Sequence, residues 1–374
     1  MNFRKIVTGV LAGTLALTLS ACGQSEATAG APVADGVTHL RIAYSPALCS
    51  APLYIGIEKG FFAEENLDVE NVTIDAAHVQ EAIGTDQVDV GMGLIGKFLQ
   101  PLENGLPIKF TTGIHTGCVK ILVPGDSAVQ TIADLKGLKI GVPGLADAGT
   151  VIAKRSLHAA GIGVTEENME VEFSVFARND LPQALNNGAV AAIAFGDPAA
   201  SIAQQEYGLR TLVDTATDPT YASEYCCAAF VTSKLAAENP NAAAAFTRAV
   251  QKASQWVQDN PDETAKLIVE KKYISGDTAF NASVLKSYNY KPSVQGGYDA
   301  LKLSASQLVE IGLLKEDTDP TAFADNAYFF TEGAPDTAAA GAAPDVPAAV
   351  PTAAEAPAVM EDCCGNPVEI PEKN

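Results

Sequence analysis

The chain has 374 residues, 45 of them acidic against 24 basic, for a net charge of −21. That balance excludes a nucleic-acid binder, which needs a basic face. The length exceeds what one compact core usually holds, so two lobes are expected.

Arg4 and Lys5 precede the apolar run "IVTGVLAGTLALTL", which ends at "LSAC", Leu19 to Cys22. The run is too short and too rich in small residues for a stable membrane span, and a small residue before a cysteine is a lipoprotein cleavage pattern. Residues 1–21 are expected to be a signal peptide, Cys22 the lipidated residue, and residues 22–38 a flexible tether. No later stretch approaches the roughly 18 apolar residues of a membrane helix. The expected location is extracytoplasmic, tied by lipid to the cell membrane.

Strand-like runs then alternate with helical patterns. "HLRIAYS", "LDVENVTI", "VDVGMG", "LKIGV", "MEVEFSVF" and "AVAAIAFG" read as strands. Between them "SAPLYIGIEKGFFAEEN", "HVQEAIGTDQ", "GTVIAKRSLHAAGI" and "DLPQALNNG" place apolar residues near helical spacing. The alternation predicts an α/β fold with mostly parallel sheets. Asn239 and Pro240 suit the start of a helix whose buried stripe is Phe246, Val250, Ala253 and Val257, and Asn260 with Pro261 starts another. From Gly333 the composition shifts to Ala, Pro and acidic residues, and residues 333–374 are expected to be disordered.

Ligands of open α/β sheets sit beyond the carboxyl ends of strands, at helix N-termini with free N–H groups. Ser45 to Ser50, Ala76 to His78, Leu94 to Gly96 and Ala146 to Thr150 occupy such places. Thr150, with the N–H groups around Gly149, is the foremost candidate anion contact, helix capping being the alternative. "GMGLIGKF" departs from a P-loop because Phe98 stands where a hydroxyl must bind Mg²⁺. The four histidines form no evident triad, and no enzyme is expected.

The stretch "RIAYSPALCSAPLYIGIEKGFFAEENLDVE" resembles the opening of substrate-binding proteins of nitrate, sulfonate and taurine type ABC importers. Lys59, Gly60, Phe61, Phe62, Leu67, Asp68, Val69 and Glu70 carry that likeness, and "AIGTDQVDVGMG", "IADLKGLKIGVP" and "ALNNGAVAAIAFGDPAA" follow in the family's order. Within the same superfamily, "YCCAAF" is similar to the cysteine-rich strand of the thiamine-pyrimidine branch, which includes a pyrimidine synthase. Only Cys226 and Cys227 match there, with Ala228 and Ala229 where that enzyme has further cysteine.

The resemblance implies a two-lobe periplasmic-binding-protein-like fold of type II with two hinge crossovers. Lobe one would hold residues 39–121 and 228–332, and lobe two residues 122–227. It implies capture of a small anionic or heteroaromatic solute by lobe closure, for delivery to a membrane permease and its ATPase. Tyr44, Ser45, Cys49, His78, Leu94, His115, Cys118, Asp197, Tyr225 and Cys226 then map to the cleft or hinge. Asp197 is also placed to cap the helix that begins at Pro198, and Tyr44, Tyr54 and Tyr225 are candidates to stack on a ring.

The thiols keep three readings open. Cys49, Cys118, Cys226 and Cys227, with His78 and His115, offer soft and borderline metal ligands, so a metal ion or metal chelate is the alternative to a reading with no cofactor. Outside the membrane the same cysteines can form disulfides, or pack inertly. Adjacent strand residues face opposite ways, so Cys226 and Cys227 share the cleft only on a bent strand. Cys363 and Cys364 repeat the pair in the tail.

Overall fold

The computed structural model describes residues 36–44, 47–74, 78–331, 359–361 and 367–369, without the side chains of Tyr44 and of the last two segments. Cys22, Ser45, Cys363 and Cys364 lie outside it.

The strands in chain order are β1 (Thr38–Tyr44), β2 (Leu67–Thr73), β3 (Val90–Leu94), β4 (Ile108–Thr116), β5 (Val119–Val123), β6 (Lys139–Val142), β7 (Glu172–Val175), β8 (Ala192–Gly196), β9 (Arg210–Asp214) and β10 (Tyr225–Thr232). They form two five-stranded sheets, ordered β2-β1-β3-β10-β4 and β7-β6-β8-β5-β9. In each, β-strands linked through helices run parallel, as β1 does with β2 and β6 with β7. Strands arriving from the other sheet run antiparallel, β10 beside β3 and β4, and β5 beside β8 and β9. The fold is therefore two α/β lobes, each a mixed sheet covered by helices.

Each lobe is sealed by the patterns the sequence carries. "YCCAAFVT" is buried along almost its whole length, as a central strand covered on both faces must be. Asn239 accepts from the Ala242 N–H at 3.1 Å and starts the helix Pro240–Asp259, whose Phe246, Val250, Ala253 and Val257 are all at most 0% exposed. Asp147 caps the helix Ala148–Ala159, accepting from Gly149 N–H at 2.9 Å.

The chain passes between lobes twice. It leaves β4 at Thr116 and enters β5 at Val119, then leaves β9 at Asp214 and enters β10 at Tyr225. "CVKILVP" thus lies mainly in the second sheet and "YCCAAFVTS" in the first, so the passages precede the expected boundaries at 121 and 227 by a few residues. The two passages touch. Thr215 Oγ1 accepts from the N–H groups of both Cys118 and Val119 at 3.0 Å.

The expectation of disorder for residues 333–374 falls mostly outside the described residues. Val359–Glu361 pairs antiparallel with Pro367–Glu369.

Candidate functional site

Walls from both lobes enclose a cleft of about 530 Å³, counting the part open to solvent. Lobe one supplies Leu94, Ile95 and Gly96 after β3, together with Ser304 and Leu308 from the helix Val294–Glu310. Lobe two supplies Val119, Ala148, Val151, Ile152 and Arg155. The connecting segments add Gly117, Thr215, Tyr221 and Glu224, and β10 adds Tyr225 and Cys226.

Most of this wall is apolar. Its charged pair is Arg155 and Glu224, joined at 2.6 Å, with the guanidinium also over the Tyr221 ring at 4.9 Å. Burial raises the Glu224 carboxyl above its ordinary range, and Arg155 opposes that shift. Arg155 Nε is buried and has no hydrogen-bond partner among the described residues. The cleft wall therefore carries an ion pair of zero net charge, with the Arg155 Nε–H itself buried.

The expected anion contact is already engaged within the protein. Gly149 N–H donates to Asp147, and Thr150 Oγ1 donates to Gly144 O at 2.6 Å. Asp147 pairs with Arg178 at 2.9 Å, so this helix N-terminus already faces a carboxylate. Ala148 and Val151 line the cleft instead.

Other expected residues divide. Leu94, Tyr225 and Cys226 line the cleft. Tyr44 ends β1. His78 precedes the helix Val79–Gly84 and is exposed, outside the two groups of close thiol and imidazole ligand atoms. Tyr54 is a core residue, its ring stacked on Tyr273 at 4.7 Å. Asp197, 2% exposed, accepts from Ser201 N–H at 2.9 Å and Ser201 Oγ at 2.7 Å, the capping role, and lies 3.9 Å from Lys120. Burial raises the Asp197 carboxyl, and the nearby Lys120 lowers it.

Beneath the cleft floor the expected cysteines do converge. Cys49 sits in the short turn Leu48–Ser50, Cys118 in the first passage, and Cys226 with Cys227 on β10. None of the four is joined in a disulfide. The sulfurs of Cys118 and Cys226 stand 3.1 Å apart, beyond the about 2.05 Å of a disulfide. Cys226 Sγ is 3.5 Å from His115 Nδ1.

The alternation rule does not hold for Cys226 and Cys227, because β10 is bulged. Tyr225 pairs with Thr116 and Cys227 with His115, neighbours on β4, so Cys226 is one residue extra. A second irregularity follows, since Ala228 pairs with Gly113 and leaves Ile114 over on β4. A bulge re-aims side chains. Cys226 thereby reaches both the cleft and the thiols, which a regular strand would forbid.

His115 is 0% exposed and stacks on Tyr288 at 5.0 Å and tilts against Tyr290 at 4.9 Å. Burial lowers its imidazole to about 4, so the ring is neutral at physiological pH. Burial likewise pushes the Cys227 thiol up to about 12. Nε2 of His115 is buried with no hydrogen-bond partner among the described residues. Sequence reasoning missed Arg155, Glu224 and Tyr221; an arginine inside an otherwise amphipathic helix gives no signal until the opposite lobe is placed against it.

Residues 49–264 match the family model described as NMT1/THI5 like. The chain is a member of that family. No curated protein matches it. Among solved structures, it is similar to the alkanesulfonate-binding protein SsuA from Xanthomonas axonopodis pv. citri bound to MOPS. The TM-score is 0.62 at 16% identity, over 78% of this chain and 98% of that one. The periplasmic aliphatic sulphonate binding protein SsuA from Escherichia coli gives 0.62 at 17%, over 76% and 91%. The periplasmic nitrate-binding protein NrtA from Synechocystis PCC 6803 gives 0.59 at 15%, over 78% and 86%. At these identities the likeness establishes the fold, the two-lobe architecture of periplasmic binding proteins. No helix of the described residues is long and apolar enough to cross a membrane.

Proposed function

We propose that this member of the NMT1/THI5-like family is an extracytoplasmic, lipid-anchored receptor that captures a small solute between its lobes and hands it to the permease of an ABC importer. The observation that carries this reading is the cleft whose walls come from both lobes and both passages. Only a closed arrangement lets one ligand touch all of them, so binding shifts an open and closed equilibrium. The N-terminal pattern through Cys22 supports the anchor, and the named activities of the solved neighbours support transport.

The wall selects among the expected solutes. Arg155 is balanced by Glu224, and the helix N-terminus at Gly149 is filled by Asp147. A bare anion such as nitrate gains little net positive charge here. A flat organic solute buries the apolar wall and meets the rings of Tyr221 and Tyr225, which line it. The reading is therefore a heteroaromatic solute of pyrimidine type, with sulfonates second.

Titration calorimetry of the mature chain with nitrate, an alkanesulfonate and an aminopyrimidine tests this. Saturable heat with the pyrimidine and none with nitrate is the expected result. Saturation by nitrate alone would overturn the choice of solute, and turnover of the pyrimidine during the titration would overturn the receptor reading in favour of an enzyme.

A further inference from the structure

Five metal-competent side chains meet below the cleft floor although they come from separate parts of the chain. Cys49, His115 and Cys227 offer ligand atoms within 4.8 Å of one another, and so do Cys118, Cys226 and Cys227. The two trios share Cys227. Neither contains a carboxylate, so the donors are sulfur and nitrogen throughout.

We propose that this cluster is a binding site for a thiophilic d¹⁰ cation, Zn²⁺ or Cu⁺, with Cys227 at its centre and Cys226 as the donor facing the cleft. Three arguments meet here. Thiolate and neutral imidazole are the ligands these ions take, whereas Ca²⁺ and Mg²⁺ require oxygen. The spacing fits, because a tetrahedral ion with bonds of about 2.3 Å to sulfur holds its sulfurs about 3.8 Å apart. Within each trio the separations, from 3.1 Å to within 4.8 Å, need shifts of about 1 Å or less in side-chain atoms to reach that geometry.

The third argument is His115. Its Nε2 is sealed from water without a hydrogen-bond partner among the described residues, while Nδ1 lies 3.2 Å from Thr116 O. A ring nitrogen left over in a core is costly unless something accepts its lone pair or proton, and ligation supplies that. The other nitrogen's backbone contact is the usual device that orients a ligating histidine. Access is provided as well: Cys226 is partly exposed and lines the cleft, so an ion enters by way of its sulfur. Each thiol that binds gives its proton to solvent as the metal–sulfur bond forms, with no change of oxidation state. Three of the five donors lie outside the "CC" pair, so the site is a product of the fold and not of a sequential motif.

The test uses the whole mature chain, reduced and handled under argon. Titration with Co²⁺ is expected to give a thiolate-to-cobalt charge-transfer band and the visible bands of a tetrahedral site at one equivalent, both bleached by Zn²⁺. A parallel arm presents Cu⁺ from a competing chelator; tighter retention in either arm supports the site and names its ion. Cys363→Ser with Cys364→Ser is expected to leave the bands unchanged, and their loss there would overturn the proposal in favour of a tail site. Cys227→Ser and Cys49→Ser are expected to weaken binding by about a hundredfold or more, with circular dichroism reporting the fold. Since Cys227 is in the core, Cys226→Ser provides a tolerant second variant, expected to weaken binding by about tenfold. Protection of the four core thiols from iodoacetamide by Zn²⁺, read by mass, is a measurement on the unmodified chain. No band in the reduced chain, or unchanged affinity in Cys49→Ser and Cys227→Ser, would overturn the proposal. None of these readouts needs solute or permease, so failure here leaves the receptor reading intact.

Discussion

Arg155 and Glu224 cancel one another in the cleft wall, and the pair decides which charges the cleft accepts. Replacing Glu224 with Gln removes the counter-charge and leaves a buried guanidinium. We expect Glu224→Gln to gain measurable affinity for alkanesulfonate and to lose affinity for a neutral pyrimidine, a crossover read by calorimetry on both ligands. His115 sets a second expectation. In the metal-free chain its imidazole titrates near 4 when folded and near 6.5 when unfolded. Protons therefore bind the unfolded chain first as pH falls. Stability is full above about pH 6.5, declines toward pH 4 and levels below it, a loss of about 3 kcal/mol. Urea unfolding at pH 7 and pH 4.5 measures this, and His115→Gln is expected to flatten that part of the profile. The residues of the thiol cluster were legible in the sequence as unusual types in a chain expected outside the cytoplasm. Their mutual approach was not, because it depends on register, and the bulge at Cys226 breaks the rule by which register is inferred.

Among the elements, the paired passages between lobes are the most constrained. Gly117 has φ of 68°, and a Cβ built there would meet Ala216 Cα at 2.4 Å. Gly137 has φ of 79° with open space around it. The comparison separates backbone strain from collision. Gly137→Ala is expected to cost about 1 kcal/mol, and Gly117→Ala about 3 kcal/mol or more, since the second passage must move. Thermal unfolding of both variants checks the order, and equal losses would show that the passages are loosely packed. The strands "LKIGV" and "AVAAIAFG" were legible because a parallel sheet writes near-continuous apolar runs between helices, and "HLRIAYS" because Leu40 and Ile42 alternate with polar His39 and Arg41. The helix Pro240–Asp259 was legible from its cap and stripe. The helices from Thr278 onward escaped notice; in Thr278–Ser287 the apolar stripe is interrupted by buried Asn281, which donates to Ser275 O.

For the whole molecule, two lobes joined by two short passages imply motion about the level of Gly117 and Thr215. Solute binding is expected to reduce the radius of gyration in solution scattering and to raise stability by about 2.7 kcal/mol at one hundred times the dissociation constant. A ligand that stabilises without contraction would point to binding on one lobe alone. The bulged Cys226 gives this motion a further meaning. It is at once a wall of the cleft and a neighbour of Cys118 and His115. Two compartments, one opening to solvent and one sealed, thus share a single side chain, and thermodynamic reciprocity applies between them. Whatever factor a solute imposes on the chemistry behind Cys226, that chemistry imposes on the solute, so the buried side of the protein is read out at its mouth.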